Sequence, residues 1–168
     1  SPGGVAGALP PGGGVVQGTI ALVEGVNVLS VTAADATTAP ATAAVTVILD
    51  TPPPQAAITS PEADAALRGV VDFDVEANDV APGSGVARVD FYAANTLLGQ
   101  VTTAPFQWQI DTALLADGTI ELRAEVYDGL GNVASLPVAV VVDNTPPVVT
   151  IAQPLDQATV MGIVPFEV

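Results

Sequence analysis

With 18 carboxylates against three arginines in 168 residues, and a net charge of −15, the chain cannot neutralise a phosphate surface, which argues against nucleic acid and anionic membranes as partners. It holds neither cysteine nor histidine, so thiolate zinc sites, thiol nucleophiles and Ser-His catalysis are excluded by inventory, and no catalytic residue is assigned. Apolar residues make up 49% of it, but they alternate with Thr, Ser, Asp and Gln instead of running for the ~18 positions that a membrane span needs.

The chain repeats itself. A shift of 93 positions, the distance from Asp50 to Asp143, also lays Asp35 on Asp128, Val45 and Val47 on Val138 and Val140, Pro53-Pro54 on Pro146-Pro147, Ile58 on Ile151, Gly69 on Gly162 and Phe73 on Phe166. A period of that size is one small domain, larger than the roughly 20–50 residues of a solenoid or propeller unit. Proline-rich punctuation at 49–54 and 142–147 marks two joints, because proline removes a ladder donor and biases its predecessor toward extended backbone. The chain therefore divides into the later part of one repeat (1–51, with a Gly/Pro-rich entry at 1–17), a complete repeat (52–145), and the opening strands of a further repeat (146–168). Each partial repeat leaves an apolar face to be covered, either by more of the same polypeptide or by an identical neighbouring chain.

In chain order, Gly3-Gly4 and Gly12-Gly13-Gly14 predict an irregular or mobile entry. Pro52-Pro53-Pro54 and Pro146-Pro147 predict stiff, extended joints that line successive domains up end to end. Within the complete repeat, a first short strand falls at 57–59. Val71, Phe73 and Val75 then alternate with Asp72, Asp74 and Glu76, which puts the apolar set on a buried face and the carboxylates in water. Residues 86–93 turn Val89 and Phe91 inward and Arg88, Asp90 and Tyr92 outward, and 96–101 follow as a further strand. Phe106, Trp108 and Ile110 form the next inward face. The stretch 112–116 is too short for a stable helix and reads as a single turn ending at Asp117-Gly118. Ile120, Leu122, Ala124 and Val126, then Val138, Val140 and Val142, complete the set.

About seven short strands separated by Gly, Pro, Asn and Asp are the pattern of an all-β sandwich, here as tandem copies, one complete and two partial. Shared parity predicts a core of Phe73, Val75, Val89, Phe91, Trp108, Leu122, Ala124, Val126 and Val140.

The residues also carry a family resemblance. Ser84-Gly85-Val86-Ala87-Arg88-Val89-Asp90-Phe91-Tyr92, Leu97-Leu98-Gly99, Thr103-Ala104-Pro105-Phe106, Trp108, Asp117-Gly118-Thr119 and Tyr127-Asp128-Gly129-Leu130-Gly131-Asn132 occur in the order and spacing of a bacterial immunoglobulin-like repeat, which the chain resembles over 52–145. Glu24-Gly25-Val26-Asn27-Val28-Leu29 through Asp35 is similar to the same family's later strands. Ala36-Thr37-Thr38-Ala39-Pro40 replaces the Gly-Asn turn there. The resemblance implies a seven-stranded sandwich serving as a spacer, stalk or adhesive module in exported proteins, and it implies no conserved chemistry.

Asp79, Asp128 and Asn132 lie in or beside the loops after the second and sixth strands. In a sandwich of this strand order those loops share one end, where Asp50 also enters. Convergent oxygens of this kind suit a hard cation such as calcium, which takes about six to eight oxygen ligands, while Asp and Asn are equally good turn residues. The carboxylate strip Asp72, Asp74 and Glu76 serves equally as the solvated face of a strand. Tyr92 and Trp108 could stack on a sugar, but Trp108 shares the inward parity of Phe106 and Ile110, which leaves Tyr92 as the more accessible of the two.

Two functions fit. One is a non-catalytic structural array in a secreted or cell-surface bacterial stalk, adhesin or filament, whose partners are neighbouring repeats, surface polysaccharide or a host or cell-surface ligand. The other is an accessory carbohydrate-binding or spacer module of a secreted enzyme.

Overall fold

The computed structural model describes residues 15, 17–34, 37 and 39–167. Most of the Gly/Pro-rich entry, together with Asp35, Ala36 and Thr38, lies outside them. The described residues form ten strands: β1 (Gly25–Ala33), β2 (Ala41–Leu49), β3 (Gln55–Ser60), β4 (Ala66–Leu67), β5 (Val70–Asn78), β6 (Val86–Ala93), β7 (Thr96–Val101), β8 (Phe106–Asp111), β9 (Gly118–Asp128) and β10 (Val133–Val142). The turn expected at 112–116 is a 3₁₀ turn at Thr112–Leu114, capped by the Asp111 carboxylate on the Ala113 N–H. No α-helix occurs among the described residues, and no helix is long and apolar enough to cross a membrane.

Between the joints the strands form two sheets, a five-stranded one ordered β4-β10-β9-β6-β7 and a three-stranded one ordered β3-β5-β8. All pairings are antiparallel except β4 with β10. Period-two patterning forces this arrangement, because the apolar side of each sheet must be buried against the other. Phe73, Val75, Val89, Phe91, Leu122, Ala124, Val126 and Val140 are all buried, as parity requires. Phe73 meets Phe91 edge-on at 5.0 Å, and Phe91 stacks on Trp108 at 6.4 Å. Trp108 is half-buried and packs against this core.

Two details depart from the pattern. Ala66–Leu67 adds a two-residue strand that places Leu67 in the core, too short to leave a periodic signal. Asp90, outward by parity, is nonetheless buried, because Arg88 Nε (3.2 Å) and Gln100 Nε2 (2.8 Å) close over its carboxylate.

Gly99 explains how β7 lies under the indole. A Cβ there would stand 2.2 Å from Trp108 Cη2, and a fused ring cannot fold aside as a flexible chain can. Gly99→Ala should therefore displace the indole, shifting its fluorescence to the red and lowering the melting temperature. An unchanged spectrum and melt would contradict the packing described.

The flanking segments repeat the geometry of the sandwich. Hairpin β1–β2 pairs from Gly25↔Leu49 to Ala33↔Ala41, and a 93-residue shift turns this into the β9–β10 register from Gly118↔Val142 to Val126↔Ala134. Gly25 and Gly118 open the two hairpins with φ of +90° and +118°, backbone that a side chain resists. Residues 146–167 contain one bridge, Gln153↔Glu167, which is the 93-residue counterpart of Ser60↔Asp74. Among the described residues of this segment that bridge stands alone, and an isolated pair is marginal in water.

Candidate metal centre at the joint

Three separate elements deliver one carboxylate each to the entry end of the sandwich. Asp50 follows β2 in the joint, Asp79 follows β5, and Asp128 closes β9. One oxygen from each lies within 4.8 Å of the others, with Asp50 and Asp128 buried and Asp79 half-buried.

Each acid is held by backbone N–H groups. Asp50 Oδ2 accepts from Ser84 N (2.7 Å) and Asp79 Oδ2 from Gly85 N (2.6 Å), so the loop entering β6 orients both. Asp79 lies so close over Gly83 that a Cβ there would come within 2.5 Å of its carboxylate oxygens. Asp128 Oδ1 accepts from Leu130 N (2.9 Å) and Asn132 N (2.8 Å), an Asx-type loop closure.

Asn132 enters as a donor. Its Nδ2 reaches both Asp128 Oδ2 (2.6 Å) and the Asp50 carbonyl (3.2 Å), and two acceptor partners fix the amide orientation. It therefore ties two of the acids together and directs its nitrogen at them. The carboxylate oxygens left over are hard donors, suited to a calcium-like ion that would offset their mutual repulsion.

Burial by itself raises the Asp128 pKa, but donation from the Asn132 side chain and from the N–H groups of Asn132, Leu130 and Gly131 outweighs it, and the net direction is below the ordinary 3.8. Asp117, at the opposite end, is lowered by the Thr145 hydroxyl first and the Asn144 N–H next. A carboxylate with a depressed folded pKa stabilises the fold above its unfolded value, and the contribution is lost as pH falls through the folded value. With Asp128 fully ionised, melting temperature should therefore not vary with pH through this group near neutrality, and should fall below about pH 3.8. Asp128→Asn should flatten that acid limb. An acid limb identical to that of the parent would show that Asp128 does not contribute.

Sequence reasoning missed a second device at the same joint. Glu24 accepts from the Thr51 hydroxyl (2.6 Å) and from Thr51 N (3.3 Å). Shifted by 93 residues, Glu24 becomes Asp117 and Thr51 becomes Asn144, and the clasp recurs: Asp117 accepts from Asn144 N (2.8 Å) and from the Thr145 hydroxyl. Asn144 is also pinned to Thr112 through Nδ2 to the carbonyl (2.7 Å) and Oδ1 to the hydroxyl (2.8 Å). The signal was available as an acid before glycine at the same repeat position in Glu24-Gly25 and Asp117-Gly118.

Each tyrosine ring carries an arginine. The Arg123 guanidinium lies 4.3 Å from the Tyr92 ring and that of Arg88 lies 3.6 Å from the Tyr127 ring.

Residues 54–124 match the family model described as bacterial Ig domain. The sandwich is a bacterial Ig-like domain. The match takes in β3 through the first half of β9, and it ends before Asp128 and Asn132, so the metal candidates lie only partly inside it. Among solved structures, the fibronectin(III)-like modules of Clostridium thermocellum CbhA align at 19% identity and a TM-score of 0.48, over 55% of this chain and 100% of theirs. The endo-beta-1,4-mannanase from Thermotoga petrophila aligns at 13% identity and a TM-score of 0.47, over 57% of this chain and 21% of the enzyme. No curated protein matches.

Proposed function

We infer that the chain is a non-catalytic structural segment of an exported bacterial surface protein, a stalk, adhesin or filament, in which Ig-like sandwiches follow one another through stiff joints. One observation carries this reading: consecutive residues of the joint are gripped from opposite sides. Asp50, 7% exposed, is held by Ser84 and Asn132 of the sandwich that follows, and Thr51 is held by Glu24 beside the hairpin that precedes. That leaves no slack between the two grips, unlike a Gly/Ser linker. A pair of spin labels at Ser30 and Thr103 should give a narrow interlabel distance distribution. A distribution as broad as that of a flexible tether would refute the stiff joint.

The covered tyrosine rings favour this reading over a carbohydrate-binding module, which needs an open aromatic face. Binding to surface polysaccharide that is abolished by Tyr92→Ala would reverse the preference.

Asp50, Asp79 and Asp128 are the residues to hold a calcium-like ion at this joint, with Asn132 positioning Asp128 and the Asp50 carbonyl. A divalent ion that binds only the folded joint stabilises it by mass action. Chelation should then lower the melting temperature and broaden the interlabel distances. If chelation changes neither, the acids serve as turn residues alone.

A further inference from the structure

The geometry points to a binding groove for an arginine side chain of a protein partner, on the outer face of the β3-β5-β8 sheet. The three strands of this sheet differ in reach. β3 pairs with β5 as far as Gln55↔Asn78, whereas the β5–β8 ladder stops at Val75↔Phe106. The last three residues of β5 therefore have a ladder neighbour on one side only, and the step opens a groove of about 750 Å³. That volume lies within the ~300–1,000 Å³ of small-ligand sites. Asp74, Glu76 and Gln107 line it on the outward side, since Val75 and Phe106 beside them are buried.

One atom of this lining is unexplained by the fold. Asp72 and Asp74 each face a glutamine across the β5–β8 ladder, Gln109 and Gln107 respectively. Gln109 Nε2 donates to Asp72 Oδ1 at 3.1 Å. Asp74 Oδ1 is shut off from solvent and has no hydrogen-bond partner, the one buried side-chain atom left so among the described residues. A buried carboxylate oxygen without a donor costs free energy, and here the like pair one step along the ladder shows that a donor could have been supplied. The fold does not demand this polar lining either. Under the 93-residue shift Gln55 and Thr59, which border the groove, become Val148 and Ala152.

Charge and spacing select the ligand. Two carboxylates line the groove and no arginine does, so the missing donor is a cation. Asp74 and Glu76 are two residues apart on one strand face, about 6.5 Å along the strand. A planar guanidinium with five N–H donors can bridge that spacing, whereas an ammonium is a single point of charge. Ala57, Ala104 and Pro105 add small apolar surface for the methylene stem.

The test titrates the 168-residue chain with a blocked tripeptide carrying a central arginine, followed by two-dimensional amide NMR. Resonances of residues 55–59, 74–78 and 104–107 should shift together and saturate, with an affinity that weakens as salt rises. The citrulline peptide, equal in shape and uncharged, should not bind, and the lysine peptide should bind several-fold more weakly. Asp74→Asn should weaken arginine binding about tenfold or more, yet leave the melting temperature unchanged or higher, because it removes a charge that has no donor. Glu121→Gln removes the same charge from the exposed face of the other sheet and should leave binding within about twofold.

Equal binding of the arginine and citrulline peptides would overturn the groove, as would a loss in Glu121→Gln as large as that in Asp74→Asn. An Asp74→Asn chain that melts lower would make Asp74 a structural acid and overturn it as well. Shifts at the same residues produced by a neutral oligosaccharide and not by the arginine peptide would do the same. None of these outcomes bears on the stiff joint, which is read from interlabel distances.

Discussion

Phe73→Ala should lower the stability of the sandwich by about 3–5 kcal/mol, the usual range for emptying a fully buried phenylalanine site. Phe73 is wholly excluded from solvent in the centre of β5, and its ring lies edge-on to Phe91, so truncation removes both buried area and an aromatic contact. The neighbours belong to sheet ladders on both sides and can relax only partly into the void. Urea unfolding followed by Trp108 emission should show a lower midpoint with an unchanged slope. Val28→Ala in the exposed hairpin should stay within about 0.5 kcal/mol of the parent. A loss below about 1 kcal/mol at Phe73 would mean that the two sheets do not pack as described.

What was legible in the sequence follows from what leaves a pattern. Strict alternation at 71–76 and 120–126 fixed which faces are buried, because a one-residue slip would turn every carboxylate inward. The repeat marked the proline-rich punctuation, and strand order predicts one shared end for Asp50, Asp79 and Asp128, where one oxygen from each lies within 4.8 Å of the others. Asp90 was misjudged because parity describes the side of a sheet and takes no account of a long neighbour such as Arg88 folding over it. Leu67 was missed because two residues have no period. The Glu24–Thr51 clasp was missed because its partners are far apart in sequence, although its repetition as Asp117–Asn144 made it detectable in principle.

The clasp also changes what proline does here. Pro52 and the residues after it restrict the backbone, but restriction alone leaves a joint free to pivot at its unrestrained neighbours. Hydrogen bonds from both sides at residues 50 and 51 remove that pivot. On the proposed reading, stiffness in this joint would come from Glu24, Asn132 and the Ser84 N–H, which hold residues 50 and 51, and a longer proline run in the same place would not reproduce it.

Asp128→Ala tests that account with the second large effect. The substitution leaves Leu130 N, Asn132 N and Asn132 Nδ2 without their acceptor, in a position only 3% exposed. Three part-buried donors losing a charged acceptor should cost roughly 1.5–3 kcal/mol of sandwich stability. Freed from Asp128, Asn132 should also release the Asp50 carbonyl, so interlabel distances across the joint should broaden in the same variant. If the three acids merely repelled one another, removing one would stabilise the chain, and a raised melting temperature would refute the network. Repeating both measurements with chelator separates the contributions. A loss that persists after chelation belongs to the hydrogen-bond network, whereas a chelator effect present in the parent and absent in Asp128→Ala belongs to a bound cation.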